Sequence, residues 1–530
     1  MFKKVKELSK NLHLLIISLV AFALRLINLG YSDYQGDEIK SFFILKDGIG
    51  VAEFLLNQRK GPGQFIITWL VKLVNPNYAN ELITRLPFAI AGALAVFFFF
   101  KLVEILFNKK VAFYSALFFA TNGFFVALAR ISQYQSFVIL FFILAIYYMV
   151  LANKEESYRY KGIYLSFIFW ALSILFHYDG VFIAPLIFYF LYLWIKENVN
   201  DFNLKDRGFK TLFVALAISG LMLAVFYVPF VVNISKSTMS YWEGRLSGEV
   251  SSKMSSSKYL FTVYQPIYVV HFYTILFLSG SLFISLNLVK KYLKKTSGKL
   301  TERLPEFSFH IPTTLFVVLW FLVSLAFFEG LVYIPGTHIY NYLIPTFIIL
   351  ALGMVFVEKL ISLFDKYFIP HAIAYTGIFV LFLFLFLQSY AIYVDHRVEY
   401  PWTNERFLIW EFPKPTPIYH LSIFGFPYYR NWEGIRDTIM TSDNNGYYST
   451  NERKSIVRFY IPFEKSTDAA GHFIYIKNPQ SFTNKIQQDK AKYWSERYPP
   501  IFTFSKSGSD LVRVYQMEPG TVEEIKEKGF

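Results

Sequence analysis

The side chains best suited to chemistry lie early in the chain, in Gln35-Gly36-Asp37-Glu38-Ile39-Lys40 and then in Arg59-Lys60-Gly61-Pro62-Gly63. Two adjacent carboxylates ahead of a basic pair on a flexible turn suit a transfer reaction with an anionic leaving group. A carboxylate takes the proton of an attacking hydroxyl as the new bond forms. Cations aimed at the departing group stabilise the charge it gains. Asp37 is the candidate base, and Arg59, Lys60 and the later Arg130 are candidate partners for the leaving group. Each residue also has a structural reading. Asp37 is well suited to N-cap a short helix beginning near Ile39, and Glu38 to be a solvated first-turn carboxylate favoured by the helix dipole. Arg59 and Lys60 suit anionic headgroups or snorkelling, and Arg130 an interface anchor.

The elements that must hold these residues are membrane spans. The chain has 530 residues, of which 55% are hydrophobic, 20% aromatic and only 17% charged, against about a quarter charged in a soluble protein. Runs of about 20 apolar residues recur near 12–29, 83–106, 111–129, 135–152, 163–177, 180–195, 211–232, 266–289, 311–329, 341–358 and 372–394, which predicts about eleven transmembrane helices. The first run continues through Arg25 without a small-residue cleavage site, so it is not read as a removable signal. The net charge is +14, but Lys and Arg cluster in short segments between spans, which argues for membrane orientation and anionic lipids rather than nucleic acid. Lys3, Lys4, Lys6 and Lys10 predict a cytoplasmic N-terminus, and the basic segments near 108–110, 153–162, 196–210, 290–310 and 359–370 alternate accordingly. Cysteine is absent, so there is no disulfide framework and no thiol chemistry.

This organisation predicts a membrane domain over 1–394, whose first outer loop (30–82) carries the active site, and an extracytoplasmic domain over 395–530. A Ser-rich outer loop is expected over 233–265. In the tail, Phe473–Ile476 and Leu511–Tyr515 read as strands and Trp432–Met440 as a helix, with turns at Pro413-Lys414-Pro415-Thr416-Pro417 and Asp443-Asn444-Asn445-Gly446, giving a small α/β unit. In the first loop, Ile39 and Phe42–Leu45, then Val51, Phe54 and Leu55, form two short amphipathic turns expected to lie flat in the interface. Asp37 and Glu38 then sit near headgroup depth, the depth at which a lipid-linked sugar presents its phosphate while its polyprenyl tail stays in hydrocarbon. His177 and His338 fall at outer span ends, where a lone histidine is ordinarily a structural hydrogen-bonder. With histidines and carboxylates scattered, no metal-ligand spacing emerges, and Gly-rich phosphate loops and Ser/His/Asp signatures are missing. No cofactor is expected, with a divalent metal left open. A lipid or polysaccharide transporter or flippase is the alternative; the lack of internal repeats counts mildly against it. A third reading is a non-catalytic scaffold presenting the tail.

Leu24-Arg25-Leu26 followed by Asp37-Glu38 resembles the opening of the lipid-linked GT-C glycosyltransferases, which include protein O-mannosyltransferases and lipid A aminoarabinose transferases. Lys60-Gly61-Pro62 resembles that family's Lys-Pro element, and Thr84-Arg85-Leu86-Pro87 its Arg-Leu-Pro-Ser element, with Phe88 in place of Ser. Ala129-Arg130-Ile131-Ser132-Gln133-Tyr134-Gln135 is similar to the second outer loop, though many relatives carry an acidic residue near Gln135. His338-Ile339-Tyr340-Asn341-Tyr342-Leu343-Ile344-Pro345 is similar to a late Arg-Tyr-Leu-Leu-Pro element without its Arg. The resemblance spans roughly residues 15–395. It implies a GT-C fold and inverting transfer from a polyprenyl-phosphate sugar to a protein, lipid or glycan acceptor outside the cytoplasm. It also implies that Asp37 is the catalytic base and that Glu38 orients it or touches the sugar. Lys60 would contact the donor phosphate with Arg59 or Arg130, and Gln135, His177, His338 and Tyr342 are possible substrate contacts.

Overall fold

The computed structural model describes residues 2–247, 276–286, 311–332, 336–362, 368–399, 405–407, 410–412, 425–443, 445–466, 469–480 and 485–517. Within them, six helices are long and apolar enough to cross a membrane: Glu81–Leu106, Gln135–Lys154, Tyr178–Asn198, Arg207–Val232, Gly336–Ile361 and Ala372–Tyr393. A bent pair, Lys109–Thr121 and Gly123–Ala129, makes a seventh. Four more of the expected runs fall on the shorter apolar helices Leu12–Leu26, Lys161–Phe176, Leu276–Leu286 and Leu315–Phe328. The run read as one span over 111–129 turns by 63° at its break. Asn122 causes the turn: its backbone is extended and its side chain accepts the Phe124 N–H at 3.1 Å, capping a new helix instead of continuing the old one. The loop 290–310, much of 233–265 and the Pro413–Pro417 turn lie outside the described residues.

The helices needed below are α1 (Phe2–Leu26), α2 (Gly36–Ile39), α3 (Val51–Leu56), α4 (Gly63–Val74) and α5 (Glu81–Leu106). Helix α5 is started by Asn80, whose side chain accepts the Ile83 N–H at 3.0 Å, and it packs along α1 and along Gln135–Lys154. The first outer loop departs from the expected flat amphipathic turns. Phe42 and Phe43 are buried, whereas Ile44, Leu45 and Val51 stay exposed. Phe42 stacks on Tyr78 (4.3 Å between centroids) and joins Tyr34 and Val71 in a small aromatic core. That core is closed from the other side by Phe459 and Tyr460 of the C-terminal domain.

The C-terminal domain is an α/β unit, as its alternating stretches predict. Its five-stranded sheet runs Glu464–Lys465, Tyr447–Thr450, His472–Ile476, Ser509–Gln516, Phe502–Lys506. The first three strands are parallel neighbours and the last two join antiparallel. Helix Trp432–Thr441 matches expectation, whereas Lys454–Tyr460 and Lys485–Arg497 carry too weak an apolar stripe to be read beforehand. The short helix Lys454–Tyr460 packs directly on α2, so this domain and the first outer loop lie on the same side of the bundle.

Among the contacts that fasten the two together are three made by buried or half-buried side chains. The backbone N–H of Arg430 donates to Oδ2 of Asp33 at 2.5 Å, and Tyr460 OH accepts the Tyr34 N–H at 2.8 Å. Glu399 is the third: its carboxylate accepts from Arg430 Nη1 (2.8 Å), Lys506 Nζ (2.9 Å) and Tyr31 OH (2.7 Å), with Arg430 only 1% exposed. Removing one member of a buried ion pair leaves the other charge uncompensated, at about 3–5 kcal/mol. Glu399→Ala is therefore expected to lower the thermal midpoint in detergent and to make the C-terminal domain the first part released by limited proteolysis. A variant with wild-type midpoint and resistance would show that this network does not hold the domain.

Candidate functional site

The site begins with a buried ion pair. Glu38 is fully buried, and Arg85 of α5 grips it as a fork, Nε to Oε1 and Nη2 to Oε2, both at 2.8 Å. The Ser132 N–H donates to Oε1 at 2.9 Å and the Gln35 N–H to Oε2 at 3.0 Å. The same guanidinium donates to the carbonyls of Leu29 (3.2 Å), Ser32 (2.8 Å) and Asp33 (2.9 Å). One side chain thus ties the end of the first span, the loop beyond it and α2 to α5. Glu38 is not the solvated carboxylate the sequence suggested: every polar approach to it is taken by protein, and it does not line the cavity. The reason is Arg85, whose charge makes burial of a neighbouring carboxylate tolerable.

Fixing Glu38 turns Asp37 outward. Asp37 is the second residue of α2, and the position before the helix belongs to Gln35, so the capping reading does not describe it. Its carboxylate accepts from Lys40 Nζ at 3.0 Å and faces a cavity of about 1180 Å3. Desolvation pushes its carboxyl up, but Lys40, Lys60 and Arg453 outweigh this and hold it below the usual carboxylate range. Lys60 stands on the same cavity, its ammonium 4.8 Å from the centroid of the Tyr134 ring. Burial drives that ammonium down to about 8, partly offset by Asp37. Gly61 must be glycine here, because a Cβ would come within 2.0 Å of the Leu175 carbonyl oxygen. Lys40, Lys46, Arg59, Lys72 and Arg458 add to the positive lining, with Asp37 its one carboxylate among the described residues.

Arg59 and Lys60 also line a second, apolar groove of about 390 Å3, walled by Phe182, Phe226, Phe230, Trp242, Phe327 and Phe328. Arg59 lies over Tyr241 (4.3 Å) and donates to Ser237 Oγ at 3.1 Å. Charged cavity and apolar groove meet at Arg59, Lys60, Tyr178 and His338.

The remaining expectations divide. Arg130 does not reach the cavity. It is 6% exposed and donates to the carbonyls of Leu24 (3.1 Å), Ile27 (2.9 Å) and Asn28 (3.1 Å), closing the C-terminal end of α1 where carbonyls lack helical partners. Tyr342 is buried in its helix and lines neither space; two residues earlier, Tyr340 donates to Asp179 Oδ2 at 2.6 Å. Gln135, His177 and His338 do line the polar cavity. Gln135 Nε2 donates to Gln133 Oε1 at 3.0 Å, and His177 stacks on Tyr134 at 4.2 Å. Asp179 went unread as a functional residue; an acid flanked by two apolar runs was the available signal, since ionisable residues at membrane depth are rare and usually functional. Ser455 and Arg458 on the far wall carried no signal, because only tertiary packing brings their helix over α2.

Residues 60–235 match the family model described as dolichyl-phosphate-mannose-protein mannosyltransferase. No curated protein matches the chain in sequence. Among solved structures, ArnT from Cupriavidus metallidurans in the apo state is similar with a TM-score of 0.53 at 11% identity, over 94% of this chain and 97% of that one. The archaeal oligosaccharyltransferase AglB from Archaeoglobus fulgidus, in complex with an inhibitory peptide and a dolichol-phosphate, gives 0.51 at 12% identity, over 96% and 74%. At such identities the likeness is one of fold, and the fold is GT-C.

The two neighbouring carboxylates should differ in what loss of charge costs the fold. Glu38→Gln leaves Arg85 buried against a neutral partner and is expected to cost about 3 kcal/mol or more of stability. Asp37→Asn, at a partly exposed site, should fall within about 0.5 kcal/mol of wild type. Thermal unfolding of both variants in detergent decides the matter; equal midpoints would contradict the division of roles.

Proposed function

We propose that this chain is an inverting glycosyltransferase that moves a sugar from a polyprenyl-phosphate carrier to a protein, lipid or glycan acceptor outside the cytoplasm. The observation that carries the reading is the junction of the two spaces. A polar cavity containing Asp37 opens at Lys60 and Arg59 into an aromatic groove, which matches an amphiphile whose charged head joins a hydrocarbon tail. The GT-C fold supports it, as does the dolichol-phosphate held by AglB. So does the match of residues 60–235 to a family described by its dolichyl-phosphate-mannose donor.

In this reading the polyprenyl chain occupies the groove and its phosphate rests against Lys60 and Arg59. The acceptor hydroxyl enters the polar cavity and attacks the anomeric carbon from the face opposite the phosphate. Its proton passes to the Asp37 carboxylate as the carbon–oxygen bond to phosphate breaks, and the bonding electrons leave with the lipid phosphate. Lys60 meets that charge at the moment it develops, in a site partly shielded from water. Glu38 acts only by positioning, through Arg85. Gln135 and His338 are left as contacts for sugar or phosphate. The extracytoplasmic side is the reading that the basic loops support, and the contact of α2 with the C-terminal domain puts those two parts on one side, whichever it is.

Asp37→Asn keeps size and polarity but cannot take a proton, so transfer from a labelled polyprenyl-phosphate sugar should fall by about 10²–10⁴ with donor affinity nearly unchanged. Near-normal transfer by this variant would remove Asp37 as the base.

Lys60 predicts an alkaline limb. Because burial lowers its ammonium to about 8, the cation is present below that pH and lost above it, while Asp37 stays ionised throughout. The donor KM should therefore rise by about tenfold or more as pH passes 8, as expected when a charge-assisted hydrogen bond of about 1.5–3 kcal/mol is lost. Lys60→Arg, protonated at every pH used, should abolish the limb. An unchanged donor KM across that range in wild type would exclude Lys60 as the phosphate partner.

A further inference from the structure

Beside the polar cavity lies a cluster of which the reaction above uses only His338, leaving the buried His177 and Asp179 without a part in it. Nδ1 of His177 is 3.0 Å from Oδ1 of Asp179, and Nδ1 of His338 is 2.6 Å from Oδ2. These donor atoms all lie within 4.8 Å of one another. Asp179 is 1% exposed, and among the described residues no Lys or Arg forms an ion pair with it.

A single ring proton does not satisfy both contacts of His177 Nδ1. Nδ1 of His177 accepts the backbone N–H of Asp179 at 3.2 Å, which puts the imidazole proton on Nε2. The same Nδ1 then faces Oδ1 at 3.0 Å, acceptor against acceptor, in a buried site. Moving the proton to Nδ1 settles the carboxylate contact and strands the backbone N–H. One nitrogen cannot serve both; a cation between Nδ1 and Oδ1 removes the contact of acceptor with acceptor and leaves over only the Asp179 N–H, a first-turn donor of Tyr178–Ile183 of the kind that has no helical partner. The surroundings suit an ion. Tyr340 OH (2.6 Å) and Asn341 Nδ2 (3.4 Å) approach Oδ2, and the ring of His177 is clamped on Tyr134 at an interplanar angle of 8°. Outer groups of this kind fix metal ligands in orientation.

We propose that His177 Nδ1, the Asp179 carboxylate and His338 Nδ1 bind a divalent transition-metal ion, with Zn²⁺ the best match to two imidazoles and one carboxylate. On binding, His338 gives up its Nδ1–H and carries its proton on Nε2, so both imidazoles coordinate in the neutral form. Three protein ligands leave a fourth position, the pattern of a zinc site open to a substrate. His338 lines both the polar cavity and the groove, so that position is at their junction, on the side where Lys60 stands. The ion would also clasp two segments 159 residues apart, the outer end of Lys161–Phe176 and the start of Tyr340–Ser362. Use of the ion on a donor phosphate rests on the function proposed above; its binding does not.

The test uses full-length protein purified through a tag without histidines, stripped with chelator and titrated with ZnCl2. One Zn²⁺ per chain should survive gel filtration, and the thermal midpoint should rise with ZnCl2, because a ligand of the native state stabilises it. His177→Ala and His338→Ala should each weaken binding by about 10²-fold or more, and Tyr340→Phe, which keeps all three ligands, by about tenfold. Co²⁺ should give the visible bands of a low-coordinate site in wild type, absent from the doubly substituted protein. His472→Ala, in the C-terminal sheet, should bind as wild type does. Failure of wild type to retain one equivalent overturns the site, and this outcome stands even where a variant fails to fold. Undiminished affinity in the folded His338→Ala protein overturns it equally. Intact metal binding alongside absent sugar transfer would sink the proposed function and leave the metal site standing.

Discussion

The arrangement around the cavity depends on one buried ion pair. Arg85 would be costly in an apolar interior without a partner, and Glu38 equally so. Brought together as a fork with two backbone amides on the same carboxylate, they become a fixed point to which the first outer loop is referred. Because Arg85 also donates to Leu29, Ser32 and Asp33, the loop leaves the first span in one conformation. Asp37 is neighbour to the anchor and, for that reason, points elsewhere. Adjacent acids thus have opposite environments: one neutralised and sealed, one facing a cavity surrounded by cations.

The second constraint is a floor and roof problem. The membrane helices supply the floor, with Lys60 held against Tyr134. The roof comes from the far end of the chain, where Lys454–Tyr460 lies on α2 and contributes Ser455, Arg458 and Phe459 to the cavity wall. Neither part encloses the cavity alone. The aromatic core of Tyr34, Phe42 and Tyr78 is likewise completed by Phe459 and Tyr460. The C-terminal domain is therefore part of the site's construction.

What the sequence made legible follows the range of the forces involved. Spans are local and composition-driven, so apolar runs located helices throughout the described residues. That Asp37 and Lys60 share a cavity agrees with their local signals, and the α/β character of the tail was readable because it too is signalled within a few residues. The sequence misled where a side chain acts at long range. Glu38 reads as solvated until Arg85, 47 residues on, is placed against it. Arg130 reads as a phosphate ligand until the bare carbonyls at the end of α1 are seen to need it. His177 and His338 read as isolated because Asp179, though only two residues from His177, reaches His338 across 159 residues. The 63° bend at Asn122 was hidden for another reason: its apolar flanks are compatible with one straight span.

The distance along the chain between floor and roof has a consequence for biosynthesis. Asp33 meets Arg430 across 397 residues, and Tyr34 meets Tyr460 across 426. The loop that follows α1 is made long before the helix Lys454–Tyr460 that covers it. Between those two events its aromatic core is only half built. A chain that stopped short of Lys454 would keep the membrane helices and Lys60 but leave the cavity without Ser455, Arg458 and Phe459, so the shape of the cavity is set by segments made far apart in time.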